Sequence, residues 1–185
     1  MATRLDRDGV LALVAGDPWM MAAIEAVRSL ELPDAWVAAG FVRGRVWDHL
    51  HGYAERTPPG DLDVIFFDPG RPPADDRRLE AELERRAPAY PWEVYNQAHT
   101  HRFNGDRPYS SSADALSRWA ETASTVAVRL GPAGRLELLA PCGIADLVGM
   151  VIRFNPHPDA RRDVFDERLR CKGWQRRWPR VRVAR

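Results

Sequence analysis

The segment at residues 61–67, DLDVIFF, constrains the fold more than any other part of the chain. Asp61 and Asp63 stand at the start of an apolar run that is typical of a buried β-strand. Because side chains alternate across a strand, both aspartates point to the same face of the predicted sheet. Two adjacent carboxylates repel each other unless a cation lies between them, and a divalent metal ion would meet that need. The alternative is a pair of solvated acids at an exposed strand end, which is favoured while this motif is considered alone.

The rest of the chain predicts an α/β (α+β) arrangement, in which helices flank a small mixed β-sheet. Apolar spacing, capping residues and turn residues mark the element boundaries, and GPAG between two apolar runs is typical of a β-hairpin. The predicted strands are 35–39, 61–67, 91–96, 124–130 and 135–140. The predicted helices are 7–15, 18–32, 41–53, 77–87, 113–121, 143–152 and 159–174, and residues 96–112 are predicted as a loop with or without a short helix.

Composition indicates one domain, 1–185, with a core at about 18–140 and a C-terminal helical part at about 141–185. The balance of 27 basic and 26 acidic residues gives no global field that would draw the protein onto nucleic acid or a membrane. Cys142 and Cys171 lie far apart and in no metal-ligand spacing. Since the chain also lacks a signal-peptide core and a run of ~20 apolar residues, we expect a reduced, cytoplasmic protein without membrane contact.

Three carboxylates and a glycine turn are expected at one edge of the predicted sheet. The first strand ends at Ala39-Gly40, where glycine admits a ligand closely and the following helix offers its N-terminus and Arg43 to an anion. The second strand delivers the two aspartates, and the third delivers Glu93. Carboxylates that hold Mg²⁺ (or Mn²⁺) beside a triphosphate are suited to phosphoryl transfer. Glu137 has the same apolar surroundings and is the alternative to Glu93 as the third ligand.

Three polar positions near these acids have two interpretations each. Asn96 and Gln97 follow the third strand, where they would either face the base or ribose of a nucleotide or close the strand by hydrogen bonds to the backbone. Arg43 would either bind a phosphate, which is favoured, or pair with Asp48 on its own helix.

Several motifs resemble a known family and run from about residue 20 to the C-terminus. They are AGFVRGRVWDHLHGY, DLDVIFFD, PWEVYNQAHTH, WAETASTVAVRL, LLAPCGIADLVGM and ERLRCKGWQRRWP. Together they resemble a bacterial family of small nucleotidyltransferases within the polymerase-β-like superfamily. The resemblance implies a fold similar to the head domain of CCA-adding enzymes. It also implies that Asp61, Asp63 and Glu93 bind the metal ions and that Ala39-Gly40 forms the glycine turn.

The resemblance implies transfer of a nucleoside monophosphate from an NTP to a hydroxyl of an unknown acceptor. The chain departs from the pattern at Phe41, where the superfamily has a small or hydroxyl residue, and at Gly44, where the family commonly has asparagine. A catalytically inactive nucleotide-binding or protein-interaction module that keeps the fold is therefore the alternative. A nucleic acid acceptor, tRNA included, is less favoured, because the chain lacks the large helical body that holds tRNA in CCA-adding enzymes.

Overall fold

A computed structural model describes residues 5–184 of the chain. The helices in this range are α1 Arg7–Ala15, α2 Pro18–Arg28, α3 Gly40–His51, α4 Asp75–Arg86, α5 Gln97–Asn104, α6 Ser112–Ser117, α7 Ala145–Val148, α8 Arg162–Cys171 and α9 Trp174–Arg177. The strands are β1 Trp36–Ala38, β2 Leu62–Phe66, β3 Trp92–Asn96, β4 Ala127–Leu130, β5 Leu136–Leu139, β6 Val151–Ile152 and β7 Arg182–Val183. A 3₁₀ turn at Thr122–Ser124 precedes β4.

Five strands form a mixed sheet in the order β3-β2-β1-β4-β5. β2 and β3 are parallel, and the other neighbouring pairs are antiparallel. A parallel pair needs a crossover connection, and α4 provides it. The predicted hairpin is present, with Val128 of β4 opposite Leu138 of β5. The small mixed sheet flanked by helices is therefore confirmed.

Capping residues set the start of the first two helices. The side chain of Asp6 accepts a hydrogen bond from the N–H of Gly9, and that of Asp17 accepts one from the N–H of Met20. Pro18 occupies the first position of α2, where its missing N–H has no consequence. These local signals were visible in the sequence, which is why the starts of α1 and α2 were predicted correctly.

The main hydrophobic core lies between one face of the sheet and helices α1, α2 and α3. Leu62, Val64 and Phe66 of β2 belong to this core, and Trp47 and Phe165 are among its largest fully buried members. Because side chains alternate along β2, the residues between these three face the opposite side of the sheet. There, a smaller cluster packs β1, β2 and β4 against α6; its buried members are Trp36, Ala38, Ala39, Ile65, Leu116 and Ala127. This second face is left open where β2 meets β3.

The C-terminal part differs from the prediction in two places. The helix predicted at 143–152 is limited to Ala145–Val148, because Met150 has a φ of 52° and the chain then enters β6. β6 pairs with β7 in parallel, so this part is not purely helical. The helix predicted at 159–174 ends at Cys171, since Gly173 has a φ of 59°. The spacing of apolar residues does not reveal a left-handed backbone at a residue other than glycine, such as Met150.

Two other predicted helices have different ends. α2 stops at Arg28 and α6 stops at Ser117, each four residues before its predicted end. Residues 96–112 contain α5, so the short helix allowed there is present.

Between residues 5 and 184, no single helix is long and apolar enough to cross a membrane. Helices α1 and α2 reach that length and composition only as a pair, and the pair is bent by 90°.

Candidate active site

Strands β2 and β3 bring three carboxylates together on the open face of the sheet. Asp63 lies directly opposite Glu93 in the parallel ladder, on strands that run ~4.8 Å apart. Asp61 precedes Asp63 by two residues and lies on the same side. All three acids line one cleft. The register between the two strands is therefore what assembles the acidic cluster.

The positive charge near Asp63 does not offset its burial and its two acidic neighbours. Burial, followed by the charges of Asp61 and Glu93, raises the pKa of Asp63 to about 6. A divalent cation would supply the missing charge, and carboxylate oxygens are the ligands that Mg²⁺ and Mn²⁺ prefer. The three residues therefore fit such an ion. Within residues 5–184, no three His, Cys, Asp or Glu side chains already form a metal-binding group, so binding would require the carboxylates to move together.

Tyr95 orients Glu93. Its hydroxyl donates a hydrogen bond to Glu93 Oε2 over 3.0 Å, from the same face of β3. Burial, followed by this hydrogen bond, raises the pKa of Tyr95 to about 12, so the hydroxyl keeps its proton at neutral pH. Tyr95 was not predicted as a site residue, although its two-residue spacing from Glu93 places it on the same face.

The turn at Ala39-Gly40 stands beside the acids. Ala39 has a φ of 47°, which a residue with a Cβ atom rarely adopts, and its N–H donates to Val126 O over 2.7 Å. No side chain among the described residues caps the α3 N-terminus that follows. A methyl group on Gly40 would lie 3.7 Å from Arg43 Nη2 and 3.9 Å from Asp61 Oδ1. Glycine therefore keeps the space between the turn and the carboxylate open.

Arg43 is a buried and fixed cation beside the turn. Its guanidinium donates to Ser124 Oγ and lies 5.3 Å from the ring centres of both Trp47 and Trp174. Burial lowers the pKa of Arg43 to about 10, so the side chain stays positively charged at neutral pH. Its Nε finds no hydrogen-bond partner in the described part of the chain, and the residue lines the cleft. Arg43 thus offers an unused donor and a fixed charge next to the acids.

Asp48 bonds to the loop after α3 and to the C-terminal segment. Its carboxylate accepts hydrogen bonds from the N–H and the hydroxyl of Thr57, over 2.9 and 2.6 Å, and from Trp178 Nε1 over 2.7 Å. The alternative prediction of an Arg43–Asp48 pair is therefore wrong. Asp48 is buried and acts as a structural acid.

Asn96 and Gln97 are engaged with the backbone around β3 and α5. The Asn96 side chain accepts hydrogen bonds from the N–H groups of Asp68 and Ala98 and donates one to Asp68 O. Gln97 Nε2 donates to Tyr95 O over 3.2 Å. Both residues line the cleft, but these contacts match the backbone-closing alternative. Their role in nucleotide binding stays a prediction.

Glu137 lies away from the acidic cluster. It belongs to β5, the edge strand at the other end of the sheet from β3. Its carboxylate accepts a hydrogen bond from Arg129 Nε over 2.7 Å. The sequence could not separate Glu137 from Glu93, because both stand between apolar residues. Sheet topology separates them and leaves Glu93 beside Asp63.

Arg168 of α8 and Lys172, which directly follows α8, face the cleft and were not predicted. Arg168 pairs with the buried Glu121, and Lys172 Nζ lies 3.4 Å from Asp61 Oδ2. The two cations are four residues apart and share one face of the helix. That spacing was a detectable signal, but many arginines surround the two residues in the sequence and obscure it.

The cleft has a volume of about 1030 Å³ and lies on the open face of the sheet, between α5 and α8. The three carboxylates, the Gly40 turn and the nearby cations line it. Tyr95 and Phe103, both on its lining, are exposed. The volume is at the upper end of the ~300–1,000 Å³ typical of ligand sites. The cleft can therefore hold a nucleotide and part of a second molecule.

The fold and this site place the chain in the class of proteins built like the head domain of a CCA-adding enzyme. An NMR structure described as revealing such a head domain is 33% identical to this chain. The match covers 98% of this chain and 97% of the other, with a TM-score of 0.88. The chain belongs to the nucleotidyltransferase family, whose sequence profile matches residues 25–183. No protein of curated function matches the chain in sequence.

Larger structures share the fold. A CCA-adding enzyme in complex with CTP is 17% identical, with a TM-score of 0.62 over 95% of this chain and 43% of that chain. The Thermotoga maritima CCA-adding enzyme in complex with tRNA is 19% identical, with a TM-score of 0.59 over 97% of this chain and 42% of that chain. The present chain thus spans less than half the length of these two enzymes. At such identities the likeness shows the fold alone.

Proposed function

We propose that the protein is a metal-dependent nucleotidyltransferase, which transfers a nucleoside monophosphate from an NTP to a hydroxyl of an acceptor. The observation that carries this proposal is the register that sets Asp63 opposite Glu93, with Asp61 and the Gly40 turn beside them. Membership of the nucleotidyltransferase family supports the enzyme class. Metal dependence is inferred from the three carboxylates and the raised pKa of Asp63.

In this reaction the turn and Arg43 would hold the triphosphate. The first N–H groups of α3 attract an anion, and its twelve residues add the field of a full helix. Arg43 is locked by Ser124 and two indole rings, so it offers its charge without having to reorganise. Burial strengthens the attraction between Arg43 and a phosphate, because the surrounding protein screens the charge less than water does.

Asp61, Asp63 and Glu93 would hold Mg²⁺ or Mn²⁺, which supplies charge neutralisation and acidifies an attacking hydroxyl when bound. Tyr95 uses one of the roughly four lone pairs of the Glu93 carboxylate, so the others would remain for the metal ion and for the proton of the acceptor hydroxyl. The acceptor oxygen then bonds to the α-phosphorus while the bond to the bridging oxygen breaks, and pyrophosphate leaves. Glu93 would thus act both on the metal ion and on the acceptor.

The partners of this reaction are an NTP and a second molecule that enters the outer part of the cleft. The similar structures include CCA-adding enzymes with CTP, with ATP and with tRNA, but they support only the fold here. A net charge of +1 does not favour a large polyanionic acceptor. We therefore propose a small acceptor with a free hydroxyl, and a nucleic acid is the competing outcome of the test.

Binding should be measured first, by titrating each of the four NTPs in Mg²⁺ or Mn²⁺ and following tryptophan fluorescence. Trp174 is a suitable reporter because it stacks on Arg43, and Trp119 lines the cleft. We expect metal-dependent binding in the wild type and its loss in the Asp61→Asn, Asp63→Asn double variant. Pyrophosphate release in the presence of small-molecule and RNA extracts then identifies the class of acceptor.

Glu137→Gln is the matched control, since it removes a carboxylate at the far edge of the sheet and should leave binding unchanged. The structure also gives a reason to test the inactive-module alternative. Phe41 is buried and stacks on Trp19, with ring centres 5.9 Å apart, so it supplies no hydroxyl to a phosphate. NTP binding without turnover would favour an inactive nucleotide-binding module, and a folded wild type that binds no NTP in either metal ion would favour a protein-interaction module.

A further inference from the structure

A small pocket of about 70 Å³ adjoins the main cleft, and we call it the side pocket. It lies between the start of α3, the loop at 56–61 and the C-terminal segment. Four residues line both the side pocket and the cleft, and they are Gly40, Arg43, Asp61 and Lys172. The first three belong to the proposed nucleotide site. Lys172, the only lysine in the chain, has no role in that proposal.

Lys172 is a loosely held cation. Its Nζ lies 3.4 Å from Asp61 Oδ2, and the two side chains are 37% and 33% exposed. A solvent-exposed ion pair contributes little to stability, so the ammonium can leave Asp61 easily. Arg43 and Arg168 differ, because the first is fixed by Ser124 and two indole rings and the second is paired with a buried carboxylate. Lys172 can therefore move between partners.

Binding of a metal ion and binding of phosphates would each weaken the ion pair between Lys172 and Asp61. A divalent cation on Asp61 competes with the ammonium for the same carboxylate oxygens. The phosphates of a nucleotide, held at the Gly40 turn, place negative charge next to the same ammonium. Lysine has a flexible stem and a compact charge that suit a phosphate group.

We propose that Lys172 is a phosphate-binding residue, which pairs with Asp61 in the free protein and transfers to the phosphates of the bound nucleotide. This inference rests on the proposed function. Such a role would also compensate for Phe41, whose buried ring gives the turn no hydroxyl donor. Lys172, at the end of α8, supplies a cation that the turn itself does not provide.

Selective acylation of Lys172 tests the transfer directly, because the α-amino group is the only other amine and serves as an internal reference. Cleavage at arginine then yields the peptide 171–176, which carries the acylated lysine. We expect Mg²⁺ alone to speed acylation several-fold, since it frees the ammonium from Asp61. Mg²⁺ with a non-hydrolysable NTP should slow acylation below the rate in the free protein. An acylation rate that saturating nucleotide leaves unchanged would overturn the proposal.

Substitution gives an independent test. Lys172→Met should weaken NTP affinity about tenfold or more, which is the loss expected for one charge-assisted hydrogen bond. Affinity for Mn²⁺ alone should stay equal or rise, because the competitor for Asp61 is gone. Arg170→Met, at an exposed position of α8, is the matched control and should change neither affinity. A Lys172→Arg variant should retain most of the NTP affinity.

The outcomes separate this inference from the proposed function. If Lys172→Met loses NTP and Mn²⁺ affinity together, Lys172 only supports the acidic cluster and the transfer is wrong. If it loses neither, Lys172 does not contact phosphate. If the wild type binds no NTP at all, the proposed function fails first, and this inference fails with it. Thermal unfolding of each variant establishes that the comparison is made between folded proteins.

Discussion

Replacing Asp63 with asparagine should stabilise the metal-free protein at neutral pH, although it removes a proposed metal ligand. The pKa of Asp63 is raised from 3.8 to about 6, by burial and by the charges of Asp61 and Glu93. At ~1.4 kcal/mol per pKa unit, its ionisation costs the folded state about 3 kcal/mol relative to the unfolded chain. Solvent screening of this partly exposed group reduces the expected gain to about 2 kcal/mol.

The sign of the effect follows from the two protonation states. Below about pH 4 the carboxyl is protonated in both the folded and the unfolded protein, so it contributes no destabilisation. Between pH 4 and 6 the unfolded chain ionises first, and the unfolding free energy of the wild type falls. Above about pH 6 the carboxyl is ionised in both states, so the unfolding free energy of the wild type no longer falls. The asparagine variant lacks this titration, so its advantage grows across the same window.

Urea denaturation in EDTA, followed by tryptophan fluorescence at several pH values from 4 to 7.5, measures this difference. Because replacing a carboxyl by an amide also changes the local packing, the pH dependence of the difference carries the test. Asp114→Asn is the matched control of opposite sign. Burial by itself would raise the pKa of Asp114, but hydrogen bonds from Arg118 and Ser110 hold that pKa below its usual value. Because the pKa of Asp114 lies below 3.8 in the folded protein, that variant should be less stable than the wild type by a nearly constant amount across this pH range. A difference between Asp63→Asn and the wild type that is constant with pH would refute the reasoning.

Three further predictions follow from the site and its supports. Mg²⁺ at neutral pH should raise the melting temperature of the wild type and leave that of the double aspartate variant unchanged, as measured by differential scanning fluorimetry. Glu93→Gln should lower metal-dependent turnover by about 100-fold or more, in line with the loss of a general base; Glu137→Gln should change it less than about twofold, and equal losses would contradict the assignment. Asp48→Asn should lower the unfolding free energy by about 2 kcal/mol, because Trp178 and Thr57 lose a charged acceptor in a buried place. Urea denaturation measures the last effect, and an unchanged midpoint would contradict it.

The five strands of the main sheet, the hairpin and the paired acids could be predicted because their signals are local. DLDVIFF specifies a strand by composition, and GPAG specifies a turn between two apolar runs. The caps at Asp6 and Asp17 lie within three residues of the N–H groups that they satisfy. Each of these features depends on a few neighbouring residues, so it survives in a single sequence.

The remaining features depend on residues that are distant in the chain. The choice between Glu93 and Glu137 follows from the order of strands in the sheet. The contact of Lys172 with Asp61 joins positions 111 residues apart. The positive φ of Met150 depends on the small sheet that β6 forms with β7. Such contacts cannot be predicted from periodicity or spacing in the sequence, because they form only when the helices and strands pack together.

The enclosure of Arg43 has a consequence for the order in which the site forms during synthesis. One of its two indole neighbours, Trp174, belongs to the C-terminal segment, and Trp178 of that segment bonds to Asp48. Asp48 leaves the ribosome 130 residues before Trp178, a delay of roughly 10 s at the ordinary rate of translation. A nascent chain therefore displays the acidic strands well before the cation beside them is enclosed. The site becomes complete only after the segment that carries Trp174 and Trp178 has been synthesised.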